Sequence, residues 1–173
     1  MQFIDLKAQQ KTIKTKIEKR IKTVLHHGKY ILGPEVFELE EKLADYVGSK
    51  YCISCSSGTD ALLMSLLALD IGEGDAVITS PFTYIATAEV ISLLGAEPVF
   101  ADIYSSTFNL DPYQIEKAIK HAQNKGISPK VIIPVDIFGL PARYREIEMI
   151  AKKYDLFVLE DAAQSFGSSI RNK

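Results

Sequence analysis

Four short clusters of polar and aromatic residues each follow an apolar run of the sequence, at positions 56–60, 81–84, 135–141 and 159–165. Ligands of open parallel sheets bind outside the carboxyl ends of the strands, so residues in such positions are the first candidates for chemistry. The last cluster is the most informative, because it sets Glu160 and Asp161 side by side at the end of an apolar run.

The pair of carboxylates at 160 and 161 needs a partner, since an ionised carboxylate strongly resists desolvation. Alternation along a strand points Glu160 and Asp161 to opposite faces of a sheet, so at most one of them is expected to enter a ligand crevice. A carboxylate at this position suits a protonated ring nitrogen, a metal ion or a basic group. The residues alone leave these three partners open.

The cluster at 56–60 precedes a predicted helix and has the composition of a phosphate site. Gly58 permits close approach of the backbone, and free N–H groups at a helix start attract an anion. A simple helix cap by Ser57 or Thr59 is the alternative. The sequence has no GxGxxG or GxxxxGK motif, so the usual fingerprints of dinucleotide and nucleoside triphosphate sites are not present.

The two remaining clusters are weaker signals. Phe82 and Tyr84 follow the second predicted strand, where an aromatic ring can stack on a flat heterocycle, with core packing as the alternative. Asp136 is the one carboxylate of the segment 135–141, and we interpret it as the cap of a turn.

Short apolar runs alternate with stretches of helical periodicity from residue 50 onward, which predicts an α/β fold with three α/β/α layers and a mostly parallel sheet. Strands are predicted at 51–54, 76–79, 97–102, 131–135 and 157–160. Helices are predicted at about 59–69, 85–94, 112–123 and 143–154. Residues 1–49 are predicted to form an N-terminal helical arm, with helices at about 6–27 and 35–47, and residues 50–173 the sheet domain.

Composition narrows the classes of function. The formal net charge of −2 gives no general attraction to nucleic acid or to an acidic membrane, and the sequence contains no apolar run long enough for a membrane span. We therefore expect a cytoplasmic protein with small-molecule ligands. Cys52 and Cys55 are predicted to be buried structural residues, and the three histidines have no metal-ligand spacing, so no metal site is expected.

Several ordered motifs resemble those of the DegT/StrS group of sugar aminotransferases, which have the aspartate-aminotransferase-like fold. The resemblance rests on FIDL at 3–6, YILGPE at 30–35, SGTDAL at 57–62, PFTYIATA at 81–88, NLDP at 109–112 and EDAAQSFG at 160–167. It runs along essentially the whole chain. It implies the incomplete large domain of a fold-type I enzyme that uses pyridoxal 5′-phosphate (PLP).

The resemblance also implies which residues hold this cofactor: Gly58, Thr59, Tyr84, Asp161 and Gln164. The backbone N–H groups of Gly58 and Thr59 are expected to bind the phosphate. Tyr84 is expected to stack on the pyridine ring, with Phe82 as the second choice. Asp161 is expected to pair with the protonated ring nitrogen, and Gln164 to donate a hydrogen bond near the 3-oxygen of the ring.

The lysine that forms the Schiff base in this family follows the EDAAQ motif, and we expect it to lie beyond the end of this chain. Lys173 is not at the position that the family uses. We therefore expect an N-terminal fragment without the small C-terminal domain, which binds PLP weakly or not at all and is inactive alone. A non-catalytic regulatory or binding module with the aminotransferase fold is the alternative, and a different nucleotide-binding α/β domain is a third.

Within the group, the motifs look most like those of enzymes that aminate C3 of a UDP-linked N-acetylated hexuronic acid for surface-polysaccharide assembly. This resemblance implies a nucleotide-sugar substrate and glutamate as the amino donor. It also implies a homodimer in the full-length protein.

Overall fold

The computed structural model describes residues 4–170 of the chain. Phe3, the first residue of the FIDL motif, and Lys173 lie outside this range. The chain divides into two compact units, residues 1–54 and 55–173. The predicted boundary between residues 49 and 50 therefore falls inside the first unit.

The first unit contains two helices, α1 (Leu6–His27) and α2 (Pro34–Val47). Asp5 caps α1, because its carboxylate accepts a hydrogen bond of 2.9 Å from a backbone N–H of the first turn. Gly28 ends α1 in the left-handed region with a φ of 65°. Proline at the first position of α2 costs no hydrogen bond, since the first N–H groups of a helix have no partner within it.

The segment after α2 corrects one prediction, because residues 51–54 do not form a strand. Tyr51 and Ile53 are 72% and 78% exposed. The backbone N–H and the hydroxyl of Ser54 both donate to the Glu40 carboxylate at 2.8 Å, so a side chain takes the place of a neighbouring strand. The prediction of buried cysteines is also wrong for Cys55, which is exposed, while Cys52 is partly buried.

The second unit contains a four-stranded parallel sheet, which confirms the predicted α/β fold. Its strands are β1 (Asp75–Thr79), β2 (Glu97–Phe100), β3 (Ser128–Ile133) and β4 (Phe157–Val158), in the order β2-β1-β3-β4. Its helices are α3 (Gly58–Ala68), α4 (Ala86–Leu93), α5 (Pro112–Asn124) and α6 (Tyr144–Tyr154).

The helices cover both faces of the sheet, as the three-layer prediction requires. One core joins α3 and α4 to the sheet through Leu62, Leu66, Val90, Ile91, Val77 and Val131. The other core joins α5 and α6 to the opposite face through Ile115, Ile119, Ile147, Ile78 and Ile132. Adjacent strand residues thus enter different cores, because successive side chains of a strand point to opposite faces.

The strand order places a topological switch point between β1 and β3. From β1 the chain crosses to β2 on one side, and it then returns to β3 on the other side of β1. The two connections leave β1 and β3 in opposite directions, which opens a crevice outside the carboxyl ends of these strands. The fold therefore supplies a ligand site next to Thr79 and Ile133, the last residues of β1 and β3.

Candidate functional site

Three of the four predicted clusters meet at the carboxyl edge of the sheet. Residues 80–85 follow β1, residues 134–142 follow β3, and residues 159–165 follow β4. Backbone pairing continues past β3 and β4 to an isolated parallel bridge between Val135 and Asp161. The structure therefore brings Asp161 into register with the end of β3, beside the switch point.

Two donors hold the side chain of Asp161. The hydroxyl of Thr87, in the first turn of α4, donates to Oδ2 of Asp161 at 2.9 Å. The backbone N–H of Ala163 donates to Oδ1 at 3.3 Å. Asp161 is partly buried and Thr87 is 1% exposed, so the carboxylate lies on the face of the sheet that α3 and α4 cover. Each carboxylate oxygen has two lone pairs, so Asp161 can accept a further hydrogen bond.

Glu160 faces the opposite layer, which confirms that these adjacent carboxylates point to different faces. Loss of solvent around its carboxyl raises the pKa of Glu160, and the negative charge of Asp136 raises it further. A hydrogen bond with Tyr144, in α6, acts in the opposite direction and lowers this pKa. Glu160 thus belongs to the side of the sheet covered by α5 and α6.

Asp136 is fully buried and acts in the turn that it was predicted to cap. Its Oδ1 accepts hydrogen bonds from the backbone N–H of Ala142 at 2.8 Å and from the hydroxyl of Tyr144 at 3.1 Å. Its backbone carbonyl accepts from the N–H of Gly139 at 2.9 Å. Burial, followed by the charge of Asp136, raises the pKa of Tyr144. Asp136 therefore fixes the connection from β3 to α6.

The start of α3 combines a helix cap with open backbone donors. Ser57 is the cap, because its hydroxyl oxygen accepts from the N–H of Asp60 at 3.1 Å. The hydroxyls of Ser56 and Ser57 donate to the carboxylate of Asp60 and lower its pKa. Within residues 4–170, no acceptor is found for the N–H groups of Gly58 and Thr59. The cap and the phosphate site, weighed as alternatives in the sequence, are therefore compatible.

Gly58 also leaves space for a ligand. A Cβ atom built at this position would meet no other atom within 4 Å. α3 packs beside α4 in the same core, through Leu66 and Val90. The open donors of α3 and the carboxylate of Asp161 therefore lie on the same face of the sheet.

The two aromatic candidates differ in their surroundings. Tyr84 lies in the turn before α4 and is 73% exposed. Phe82 contacts two other rings, with centroid distances of 5.2 Å to Phe108 and 6.2 Å to Phe138. Phe82 is thus engaged in an aromatic cluster, whereas Tyr84 presents most of its ring to a ligand.

Gln164 is exposed in the turn after β4, and its backbone lies against the loop that follows β3. A Cβ atom at Gly139 would lie only 3.1 Å from the carbonyl oxygen of Gln164, and Gly139 has a φ of 80°. Ser168 also donates its hydroxyl to the carbonyl of Gly139 at 2.8 Å. Glycine is therefore needed at 139 for the two loops to pack together.

Sequence reasoning assigned no role to Thr83 or Thr87, although both lie in the PFTYIATA motif. Thr87 comes three residues after Tyr84, in the first turn of a predicted helix whose neighbouring residues are apolar. A hydroxyl in such a place is a polar group that needs a partner when buried. A threonine among apolar residues of a predicted helix therefore indicates a buried hydrogen bond, but this pattern does not identify the partner of the hydroxyl.

Within the part of the chain that the structure describes, no group of three or more His, Cys, Asp or Glu residues is arranged to hold a metal ion. Over the same residues, the helices are too short or too polar for any of them to cross a membrane.

The sequence profile of the DegT/DnrJ/EryC1/StrS aminotransferase family matches residues 11–173. The chain belongs to this family. The match covers α1 from residue 11 onward, all of α2 and the whole second unit, so it includes every candidate cofactor-binding residue described above. Membership in the DegT/DnrJ/EryC1/StrS family confirms the resemblance that the motifs indicate.

Relatives in the family extend well beyond the length of this chain. The UDP-2-acetamido-2-deoxy-3-oxo-D-glucuronate aminotransferase of Pseudomonas aeruginosa is 56% identical over the whole chain, which covers 46% of that protein. A family aminotransferase from Brucella abortus has a crystal structure that matches with a TM-score of 0.93 and 50% identity, over 95% of this chain and 44% of that one.

A third match carries a cofactor. It is a Bacillus subtilis protein solved with bound pyridoxamine phosphate (PMP), with a TM-score of 0.82 and 37% identity, over 88% of this chain and 34% of that one. The chain thus spans less than half the length of all three proteins. The fold of the second unit is that of PLP-dependent aminotransferases of fold type I.

Proposed function

We propose that this chain is part of a PLP-dependent aminotransferase that transfers an amino group from glutamate to a keto sugar carried on a nucleotide. The name of the Pseudomonas aeruginosa relative makes a UDP-linked 3-oxo hexuronate the proposed class of substrate. A role in surface-polysaccharide synthesis, a homodimeric full-length protein and a cytoplasmic location belong to the same proposal.

The position of Asp161 is the observation that carries this proposal. Its carboxylate lies at the switch point of the sheet, and Thr87 and Ala163 fix both of its oxygens. A carboxylate at this place is suited to a pyridinium nitrogen, because opposite charges within a few ångströms favour each other's charged forms. The family membership of the chain supports a pyridinium nitrogen among the three partners that the sequence left open.

The remaining candidate residues fit the rest of the cofactor. The open N–H groups of Gly58 and Thr59 form an anion site at the start of α3, where the helix dipole adds to the attraction for a phosphate. Tyr84 presents an exposed ring at the start of α4. Gln164 lies in the turn that follows Asp161 and supplies an amide for the 3-oxygen.

Bound PLP supplies an electron sink for the reacting carbon of the amino donor or the sugar. Asp161 would pair with the ring nitrogen and hold its proton. Gly58 and Thr59 would bind the phosphate, and Tyr84 would stack on the ring and shield it from water. We assign no catalytic residue within this chain. We propose that the Schiff-base lysine lies in the region of the longer family members that this chain does not cover.

Titration with PMP tests this proposal, because PMP has an amine in place of the aldehyde and needs no lysine to bind. We expect a saturable change in the absorbance of PMP, which inorganic phosphate reverses by competing for the start of α3. Asp161→Asn removes the negative charge and should weaken binding by about tenfold or more. If PMP does not bind saturably, the proposal is wrong.

Asp155→Asn provides the matched control. Asp155 is exposed at the end of α6 and has a φ of 55°, a conformation that asparagine also adopts readily. This variant makes the same chemical change outside the candidate site. It should bind PMP with the affinity of the unchanged chain, and equal weakening by both substitutions would contradict the role of Asp161.

A further inference from the structure

Two threonine hydroxyls lead to the carboxylate of Asp161. The hydroxyl oxygens of Thr83 and Thr87 are 3.0 Å apart, and the hydroxyl of Thr87 is 2.9 Å from Oδ2 of Asp161. Thr83 is partly buried before α4, and Thr87 is 1% exposed in the first turn of that helix. The three side chains therefore form a continuous line from the loop after β1 to the end of β4.

The direction of both hydrogen bonds follows from proton counting. A threonine hydroxyl has one hydrogen to donate, and an ionised carboxylate only accepts. Thr87 must therefore donate to Asp161, which leaves its oxygen to accept from Thr83. The order of donation is Thr83 to Thr87 to Asp161, and each bond polarises the next.

We propose that Thr87, supported by Thr83, is a positioning residue that holds the carboxylate of Asp161 in the orientation that the ring nitrogen of a pyridoxal-type cofactor requires. This inference rests on the proposed function and adds two residues to it. The hydroxyl of Thr87 donates to Oδ2. Among residues 4–170, the other oxygen receives only the long bond of 3.3 Å from Ala163, so Oδ1 is the oxygen with capacity for the ring.

The hydroxyl of Thr87 also affects whether the shared proton lies on the ring nitrogen or on Asp161. The ring nitrogen and Asp161 can exist as a pyridinium with a carboxylate, or as a neutral pyridine with a carboxylic acid. A hydroxyl that donates to the carboxylate stabilises the first arrangement, because it interacts more strongly with a charged acceptor than with a neutral one. Removal of the hydroxyl shifts the proton from the ring nitrogen towards Asp161.

A purely structural role for Thr87 has different consequences. Thr87 is buried in α4, as Ala86 and Val90 are. In a purely structural role, the packing of its methyl group would be what matters. Thr87→Val keeps the shape of the side chain and removes only the hydroxyl. Thr87→Ser keeps the hydroxyl and removes the methyl group. The two variants therefore separate positioning from packing.

The test compares the unchanged chain with Thr87→Val, Thr87→Ser, Thr83→Val and Asp161→Asn. PMP is the probe, with two readouts besides its dissociation constant. The nitrogen-15 chemical shift of labelled ring nitrogen in bound PMP reports whether that nitrogen is protonated, and its pH titration gives the midpoint. Urea unfolding of each variant without PMP reports the stability of the fold.

Thr87→Val should weaken PMP binding by about tenfold and lower the pH at which the ring nitrogen loses its proton. Thr87→Ser should keep the midpoint of the unchanged chain, even where its fold is less stable. Thr83→Val should act in the same direction as Thr87→Val with a smaller effect, about twofold to threefold in affinity, because it removes the more distant hydroxyl.

If the pH midpoint of the ring-nitrogen titration is unchanged in Thr87→Val but is lowered in Asp161→Asn, this inference is wrong. The proposed function would still stand. The same holds if Thr87→Ser lowers the midpoint as far as Thr87→Val does, since the hydroxyl would then not be the cause. If the unchanged chain does not bind PMP, the proposed function fails, and the inference fails with it.

Discussion

Glu160 and Asp161 are neighbours in the chain, carry the same functional group and lie in opposite environments. Asp161 receives hydrogen bonds from Thr87 and Ala163 on the side of α3 and α4. Glu160 faces Asp136 and Tyr144 on the side of α5 and α6, where its pKa is raised. The layer that each carboxylate faces, rather than its position in the sequence, thus decides which groups contact it.

The two sides also differ in what the polar groups do for the fold. On the side of Glu160, Oδ1 of the buried Asp136 carboxylate accepts hydrogen bonds from Ala142 and Tyr144, which anchors the start of α6. On the side of Asp161, the hydroxyls of Thr83 and Thr87 form a hydrogen-bonded chain that ends at the Asp161 carboxylate. This carboxylate can accept a further hydrogen bond from a ligand. We therefore interpret the first side as structural and the second as functional.

The largest difference between the sides should appear in catalysis. In the full-length protein, Asp161→Asn should lower kcat/KM by about a hundredfold or more, because it removes the charge that keeps the ring protonated. Glu160→Gln should change kcat/KM by less than about threefold, which is within the range of an indirect effect. Steady-state kinetics with sugar substrate and amino donor measure both, and equal losses would remove the distinction between the two carboxylates.

The next largest effect should be on stability, on the side of Asp136. Asp136→Ala leaves the buried N–H of Ala142 without its acceptor and removes one acceptor of the Tyr144 hydroxyl, which should lower the free energy of unfolding by about 2–4 kcal/mol. Urea denaturation measures the change. Asp136→Asn keeps an acceptor oxygen and should lose less. A loss below about 0.5 kcal/mol for the alanine variant would contradict a structural role.

Tyr144→Phe should have a smaller effect of about 1 kcal/mol, because it removes the hydrogen bonds of one partly exposed hydroxyl and leaves the bond from the N–H of Ala142 to Asp136 in place. The same urea experiment measures it. PMP affinity serves as the control and should not change, since Tyr144 lies on the side away from Asp161. Weaker binding of PMP in this variant would mean that the two sides are coupled.

The smallest expected effect is the pH dependence that Glu160 gives to stability. Its pKa in the folded chain lies above the ordinary value of 4.5, so the folded state binds more protons than the unfolded state in the interval above that value. Stability should therefore fall as the pH rises from 4.5 through the raised pKa, and then stay level. Glu160→Gln, which resembles the protonated form, should remove this fall in unfolding experiments at a series of pH values.

Asp161→Asn provides the comparison for that series. Asp161 lies on the other face and is not a cause of the raised pKa of Glu160, so its replacement should leave the fall in place. A fall that persists in Glu160→Gln would show that another group is responsible.

The sequence predicts the layers well, because local periodicity carries most of that information. The apolar pattern around Val77 and Ile78 predicts β1 within one residue, and the predicted helices match the observed ones to within one or two residues at each end. The pattern of Tyr51 and Ile53 also fits a strand, yet this segment finds no neighbouring strand within residues 4–170. Whether a segment pairs with another strand depends on the tertiary structure, and the periodicity of the sequence gives no information about it.

The candidate site shows the same limit at the level of single residues. The motifs locate Gly58, Tyr84 and Asp161, because glycine, aromatic and acidic residues at strand ends have recognisable chemistry. Thr87 is a common residue in a helix, and its role depends on a contact with a residue 74 positions later. Only the fold brings these two side chains together, so the hydroxyl could not be assigned from the sequence.

A crystal structure of this chain with PMP tests the central claim most directly. The account predicts the phosphate within hydrogen-bonding distance of the N–H groups of Gly58 and Thr59, and the ring nitrogen within hydrogen-bonding distance of the Asp161 carboxylate. PMP bound in this crevice with its ring nitrogen directed away from Asp161, or with its phosphate away from the start of α3, would contradict the account.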